Sequence, residues 1–305
     1  MSSLELRPRL GSEIVDAAFQ LYRRHFAELV SLSALIYAPY IVLQLLVTSG
    51  QPLATGTELQ AGPFGLALLM ITGFIVGSVV EAAIVVSVSN SYLTSAPDPG
   101  GALRHTLKRL VSVLISVLAK WIVIAISFGI AGMAAIIVGF AVLFATGALR
   151  GGAETGALFA GGMVIVMMLL AVPFALWFYA RYFAVPATIV LEGRGAFAGL
   201  RRSAQLSQGM KAKIIGALGL PMVLLAILQI VVVSVIGFLV PGPRIFGFLL
   251  EQAVSVVAYP IIAVIATLLY YDARIRKEAF DIEVMAGELS TAGVVRHTGP
   301  DAPAA

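Results

Sequence analysis

Residues 177–215 read WFYARYFAVPATIVLEGRGAFAGLRRSAQLSQGMKAKII. They join the end of one apolar run, marked by Arg181, to a short basic segment and then to the start of the next apolar run. The basic segment of this junction begins at Gly193, and weaker copies of it begin near Gly11 and Gly100, a spacing of about 90 residues. The sequence therefore predicts one structural unit that is used three times.

The composition indicates a membrane protein. Of the 305 residues, 60% are hydrophobic and 12% are charged, and the mean hydropathy is +0.99, whereas soluble domains have roughly 45–50% apolar and about 25% charged residues. Several apolar runs reach about 20 residues, the length that a helix needs to cross a bilayer. The runs lack the alternating pattern of a membrane β-barrel. We therefore expect an all-α fold, a polytopic transmembrane helix bundle.

A single transmembrane domain is expected over about residues 11–286, between a flexible N-terminus (1–10) and a disordered C-terminal tail (287–305). Each of its three units is an amphipathic basic helix followed by a helical hairpin. The second basic helix is expected to continue to Lys120, with the third span starting at Trp121, because Lys and Trp are both favoured at headgroup level. The six predicted spans cover about residues 29–47, 64–88, 121–147, 156–183, 214–240 and 246–270.

The positions of the charges predict the orientation of the chain. Most of the 20 Lys and Arg lie in the N-terminal segment, the two basic connections and the C-terminal tail. By the positive-inside rule, both termini and both basic connections are cytoplasmic and the protein is a multi-pass protein of the cell membrane. Nucleic-acid binding is not expected, because the cations are spread over four segments that lack an aromatic stacking surface.

Glycines and prolines within the spans predict how the helices pack. Gly73 and Gly77, four residues apart, would allow two helix backbones to approach closely. Pro221 and Pro260 each remove a backbone donor inside a span. The carbonyl groups that they free could line a polar cavity, or the resulting kinks could only shape the packing.

Three polar junctions carry a family resemblance. They are GSEIVDAAFQLYRRHFAELV near the start, RYFAVPATIVLEGRGAFAGLRRSAQLSQG in the middle and LLYYDARIRKEAFDIEV near the end. Together they resemble the signature regions of a bacterial integral membrane family, the glycerophosphoryl diester phosphodiesterase membrane-domain family. Some members carry a soluble phosphodiesterase domain after the membrane part. We expect only the membrane part in this chain, because the residues after Phe280 are far fewer than the roughly 250 of a catalytic barrel.

The chain has few residues suited to catalysis. It contains no cysteine, and its three histidines, His25, His105 and His297, fall in separate segments. Metal-assisted phosphodiester hydrolysis needs clustered carboxylates and histidines to hold the ion and move protons. We therefore expect no enzymatic activity, no metal and no cofactor.

Three ionisable residues are candidates for an intramembrane polar site. Glu81 falls inside the second span, where a carboxylate is expensive unless it is paired or faces water. It could form a site with Arg181 or with Lys120, or it could be neutral and only hold neighbouring helices together. Arg181 could instead extend to the headgroups within an aromatic belt, and Lys120 could be an interface anchor.

The third basic segment offers candidate contacts for lipid headgroups. Arg194, Arg201 and Arg202 could hold phosphate, since a guanidinium group binds phosphate with two parallel hydrogen bonds. The alternative is that these cations only satisfy the positive-inside rule.

Two functions are compatible with these observations. The first is a non-enzymatic helical bundle associated with membrane lipids or the cell envelope, and the second is a small transporter or lipid-translocating protein. A cavity shared by Glu81 and Arg181 would favour the second. The partners expected are membrane lipids, including anionic headgroups, while a protein partner or a homo-oligomer stays open.

Overall fold

The computed structural model describes residues 8–49, 63–93, 99–146, 153–239 and 244–279, together with Ile282. Within those ranges the chain forms ten α-helices and no β-strand, which confirms the all-α fold class. The helices are α1 (Gly11–Arg24), α2 (Phe26–Ser49), α3 (Pro63–Leu93), α4 (Pro99–Lys108), α5 (Leu110–Thr146), α6 (Ala153–Arg181), α7 (Val185–Val190), α8 (Ala196–Leu206), α9 (Lys211–Leu239) and α10 (Arg244–Glu278).

Six helices, α2, α3, α5, α6, α9 and α10, contain segments long and apolar enough to cross a membrane. The number agrees with the number of predicted spans, and the protein is a multi-pass membrane helix bundle. The segments are Phe26–Val47, Pro63–Ser91, Leu110–Val142, Gly161–Val190, Lys211–Val232 and Phe248–Glu278.

The predicted three-unit organisation is present. The short helices α1, α4 and α8 precede the hairpins α2/α3, α5/α6 and α9/α10, respectively, and the two helices of each hairpin pack against each other. Each short helix buries an apolar face. Ile14 and Leu21 are buried in α1, Ala102 in α4 and Leu206 in α8.

Helices α3 and α10 form the centre of the bundle. In their most apolar segments 44% and 61% of the residues are buried, against 11% in the corresponding segment of α6. The outer helices α5 and α6 instead expose large apolar side chains such as Ile130 and Leu169. Without a membrane this surface would cost free energy in water, so it fits contact with lipid.

The short helices and the charged ends of α9 and α10 meet on one side of the bundle, which we call the basic face. The backbone N–H of Arg9 donates a hydrogen bond to Asp272 Oδ1 over 2.8 Å, and Arg276 Nε lies 3.0 Å from Asp272 Oδ2. Lys213 Nζ donates to both Asp272 Oδ2 and the Arg9 carbonyl. On another part of this face, His105 Nε2 donates to the Val190 carbonyl over 2.7 Å.

The end of the second basic helix differs from the prediction. Helix α4 ends at Lys108, and α5 runs without a break from Leu110 to Thr146. No break separates Lys120 from Trp121, since the sequence between Leu110 and Lys120 contains no glycine or proline to end the helix, and the membrane boundary at Trp121 stays a prediction. Lys120 therefore lies ten residues inside a spanning helix, about 15 Å along it.

Some predictions concern residues whose positions are not described. They are most of the flexible N-terminus (residues 1–7 of 1–10), the disordered tail over 287–305, and the loops at 50–62, 147–152 and 240–243. They stay predictions.

Candidate functional site: an intramembrane cavity

A cavity of about 440 Å³ lies between the spanning helices. Helices α3, α9 and α10 supply most of its wall, α5 contributes three residues and α6 contributes one. The lining residues are Gly73, Phe74, Gly77, Ser78, Val80, Glu81, Ile84, Val117, Lys120, Trp121, Tyr179, Met222, Leu225, Ala226, Gln229, Ser255, Ala258, Tyr259, Ile262 and Ala263.

Glu81 is the one carboxylate among the residues that line the cavity. It comes from α3, twelve residues before the end of that helix at Leu93, or about 18 Å along the helix. Its carboxylate makes no hydrogen bond and no ion pair with any residue whose position is described. Tyr179 and Tyr259 line the same cavity. The polar side chains around the cavity therefore include tyrosines as well as Lys120.

Lys120 faces the same cavity from α5. The residue is 2% exposed, and its ammonium lies 5.4 Å from the centroid of the Tyr179 ring, a cation–π distance. No described carboxylate lies within ion-pair distance of it. An interface anchor would extend to the headgroups, whereas Lys120 is buried inside the bundle. The structure therefore does not fit the alternative in which Lys120 is an interface anchor.

Two opposite charges thus share one cavity without contacting each other. A charge inside the membrane costs roughly 2.5–3.5 kcal/mol on an insertion scale, and such groups are usually paired or face water. Glu81 and Lys120 form no ion pair within the described part of the chain, so both side chains can interact with a polar group that enters the cavity. A molecule with one cationic and one anionic group could bind to both.

The deeper end of the cavity is polar as well. Gln229 Nε2 on α9 donates to Ser255 Oγ on α10 over 3.1 Å, and the Ser255 hydroxyl donates to the Glu251 carbonyl over 3.0 Å. Pro221 and Pro260 lie beside lining residues of the same two helices. The carbonyls that these prolines free belong to Ala217 and Val256, which do not line the cavity, so the two predicted alternatives stay open.

The cavity is not sealed from its surroundings. The side chains of Trp121, Met222 and Tyr259 line it and are also exposed on the surface of the bundle. These residues belong to spanning segments, so the surface that they reach faces lipid. A ligand could enter from the side, through the membrane.

Arg181 does not line this cavity, so of the two partners considered for Glu81 the structure places Lys120, and not Arg181, in the same cavity. Arg181 is the last residue of α6, and its guanidinium carbon lies 5.5 Å and 5.8 Å from the ring centroids of Trp177 and Tyr182. The arrangement fits a cation in an aromatic belt at the basic face. The structure brings Glu81 together with Lys120, the other predicted partner.

The three predicted headgroup contacts divide into two kinds. Arg194 Nε lies 2.6 Å from Glu192 Oε2, and Arg202 Nε lies 2.9 Å from the same oxygen. Arg202 also donates to Glu278 Oε2 over 2.7 Å. Arg201 is exposed and forms no ion pair or hydrogen bond with the residues that the structure describes.

Glu192 is a central residue of the basic face that the sequence interpretation missed. Besides its two arginine partners, it accepts a hydrogen bond from the Tyr270 hydroxyl over 3.0 Å. The hydrogen bond to Glu278 and the interactions with Glu192 raise the pKa of Arg202 above its ordinary value, although burial acts against this. The signal in the sequence was an isolated acidic residue within a basic junction.

The described residues contain no group of three or more His, Asp or Glu placed to hold a metal ion. Comparisons with protein-family models, with curated proteins and with solved structures found no match to this chain. The resemblance to the glycerophosphoryl diester phosphodiesterase membrane-domain family stays a prediction.

Proposed function

We propose that this chain is a non-enzymatic membrane protein that binds a zwitterionic lipid headgroup in the cavity and moves the lipid between leaflets. The cavity does not include Arg181, so the proposal does not rest on the shared site of Glu81 and Arg181 that the sequence suggested. Its support is the presence of Glu81 and Lys120 in one cavity without an ion pair between them. The cavity volume of about 440 Å³ falls within the range of about 300–1,000 Å³ typical of ligand pockets.

The chemistry of the cavity favours a headgroup with a primary ammonium and a phosphate. The Glu81 carboxylate can accept hydrogen bonds from an ammonium, and the Lys120 ammonium can donate to phosphate oxygens. Apolar residues such as Leu225 and Ile262 supply the rest of the wall. Phosphatidylethanolamine has both charged groups, whereas phosphatidylglycerol lacks the cation.

The orientation belongs to the same proposal. The positive-inside rule places the basic face on the cytoplasmic side of a plasma membrane, with both termini on that side. From the basic face, Lys120 lies about 15 Å along α5 and Gln229 about 27 Å along α9. The cavity thus extends from the inner part of the bilayer towards its middle, where a headgroup on its way between leaflets would pass.

Lipid binding can be measured by native mass spectrometry of the purified protein with phosphatidylethanolamine or phosphatidylglycerol. We expect Glu81→Gln and Lys120→Gln each to weaken phosphatidylethanolamine binding about tenfold, since a hydrogen bond to a charged group contributes roughly 1.5–3 kcal/mol. Glu251→Gln is the matched control, because Glu251 is a carboxylate within another spanning segment, on α10, and does not line the cavity.

Translocation needs a second measurement. In proteoliposomes with fluorescent phosphatidylethanolamine, dithionite quenching of the inner-leaflet label reports transfer between leaflets. We expect transfer with the wild-type protein and with Glu251→Gln, and loss of transfer with Glu81→Gln. Binding without any transfer would contradict translocation and favour a lipid-associated bundle. Equal binding by all four proteins would contradict the site itself.

A further inference from the structure

A second, smaller pocket lies on the basic face, where the end of α6 meets α8. Its volume is about 320 Å³, and Arg181 and Arg201 both line it. The remaining lining residues are Tyr182, Leu200, Ala204, Gln205 and Gln208. The pocket therefore combines two guanidinium groups and two side-chain amides, and none of its lining residues is acidic.

Within the described ranges, the two arginines have no compensating anion. Arg201 has no hydrogen-bonding or ionic partner in this part of the chain, and the Arg181 guanidinium is placed against aromatic rings. A third cation lies close by, since Lys211 Nζ is 3.7 Å from the centroid of the Trp177 ring, which Arg181 also contacts. Like charges this close repel each other, so binding of an anion at this pocket would be favourable.

Neighbouring arginines on the same face show the contrast. Arg194 and Arg202 both form ion pairs with Glu192, and Arg202 also forms one with Glu278. Among the arginines at this junction, Arg181 and Arg201 are therefore the two that share a pocket and have no carboxylate partner in the described part of the chain. This refines the sequence hypothesis, which included Arg194 and Arg202 among the headgroup contacts.

The surroundings of the pocket indicate contact with a membrane surface. Phe197, on the same helix as Arg201, is 76% exposed, and Trp177 at the end of α6 is also exposed. Exposed aromatic residues next to cations are typical of the headgroup region. An anion that binds in this pocket would therefore be part of a lipid more readily than of a soluble molecule.

We propose that Arg181 and Arg201 form a binding site for the phosphate group of an anionic phospholipid. Each guanidinium can donate two parallel hydrogen bonds to phosphate oxygens, and the amides of Gln205 and Gln208 are within the same pocket. The site is separate from the cavity around Glu81 and does not depend on the function proposed for that cavity.

The test compares binding of phosphatidylglycerol and phosphatidylcholine by native mass spectrometry of the purified protein. We expect the wild type to bind phosphatidylglycerol about tenfold more tightly than phosphatidylcholine. The Arg181→Gln/Arg201→Gln double variant should lose this preference. Arg194→Gln is the matched control and should keep it, because Arg194 is already paired with Glu192.

Three further results complete the test. If the double variant unfolds at the same temperature as the wild type, its loss of binding is not caused by a loss of folding. The single variant Arg201→Gln changes only an exposed residue, so it perturbs the fold less, and it should weaken the preference. Glu81→Gln should keep the preference, which separates this site from the cavity. An unchanged preference in the double variant, or an equal loss in Arg194→Gln, would overturn the proposal.

Inorganic phosphate distinguishes the two sources of the anion. If the lipid is the ligand, inorganic phosphate added in excess should leave phosphatidylglycerol bound, because the exposed aromatic residues hold the lipid but not the free anion. Complete displacement by inorganic phosphate would assign the site to the free anion and overturn the lipid assignment.

Discussion

Glu192 shows how a single carboxylate organises the basic face. It is only 12% exposed, and it contacts Arg194, Arg202 and the Tyr270 hydroxyl. These partners come from three places in the chain, the turn after α7, helix α8 and helix α10. One side chain thus ties the middle junction to the last helix.

Replacing Glu192 by Gln should therefore destabilise the protein strongly. The variant leaves the partly buried Arg202 without one of its anions, and breaking a buried ion pair by removing one partner costs about 3–5 kcal/mol. We expect a loss near the lower end, about 3 kcal/mol, because Glu278 still pairs with Arg202. Denaturant unfolding of the variant and the wild type in detergent measures this loss of stability.

The control for this prediction is Glu28→Gln. Glu28 pairs with His25 over 3.1 Å but is 34% exposed, so its removal should cost less than about 1 kcal/mol. Equal stability of the two variants would show that Glu192 does not organise this face.

At the scale of helices, the packing of α2 on α3 depends on one glycine more than on the other. A Cβ atom added at Gly73 would lie 2.7 Å from the Tyr40 hydroxyl oxygen, whereas a Cβ at Gly77 would meet nothing within 4 Å. The close approach expected from the Gly73 and Gly77 pattern therefore occurs at Gly73. Gly77 instead borders the cavity.

The two glycines make a matched pair for a stability measurement. Gly73→Ala should lower stability by about 1 kcal/mol, the lower end of the cost of overpacking, because the flexible end of the Tyr40 side chain must move. Gly77→Ala should leave stability unchanged or raise it by up to about 1 kcal/mol, since Ala favours helix over Gly. Thermal unfolding of both variants measures their relative stability. If Gly77→Ala were the less stable variant, the packing described for α2 and α3 would be contradicted.

The helices also show which features of the fold could be predicted from the sequence. Spans were predictable because long apolar runs with polar junctions admit few alternatives in a bilayer. The start of α5 was misplaced because Lys120 suggested an interface, and only its neighbours show that it faces a cavity. Which cation shares the cavity with Glu81 was equally unpredictable, because helix rotation and depth decide between Lys120 and Arg181 and hydropathy reports neither.

At the scale of the whole molecule, the charged residues and the exposed apolar residues lie in different parts of the bundle. The basic face gathers the starts of α1 and α9, the end of α10 and helix α8 on one side. Helices α5 and α6 expose apolar residues where lipid is expected. The uneven charge then predicts which side is cytoplasmic.

The absence of cysteine from the 305 residues makes that orientation easy to measure. Single variants Arg104→Cys and Arg201→Cys should both resist a membrane-impermeant maleimide in intact cells and react after lysis, because both positions lie on the basic face. Labelling of one variant but not the other in intact cells would contradict an even number of crossings between them.

The most direct test of the proposed lipid site is an experimental structure in a bilayer that contains phosphatidylethanolamine. Electron cryomicroscopy of the protein in such nanodiscs should show headgroup density between Glu81 and Lys120, with the two side chains still apart. A cavity that is closed, with the Glu81 carboxylate in direct contact with the Lys120 ammonium and no lipid between them, would contradict it.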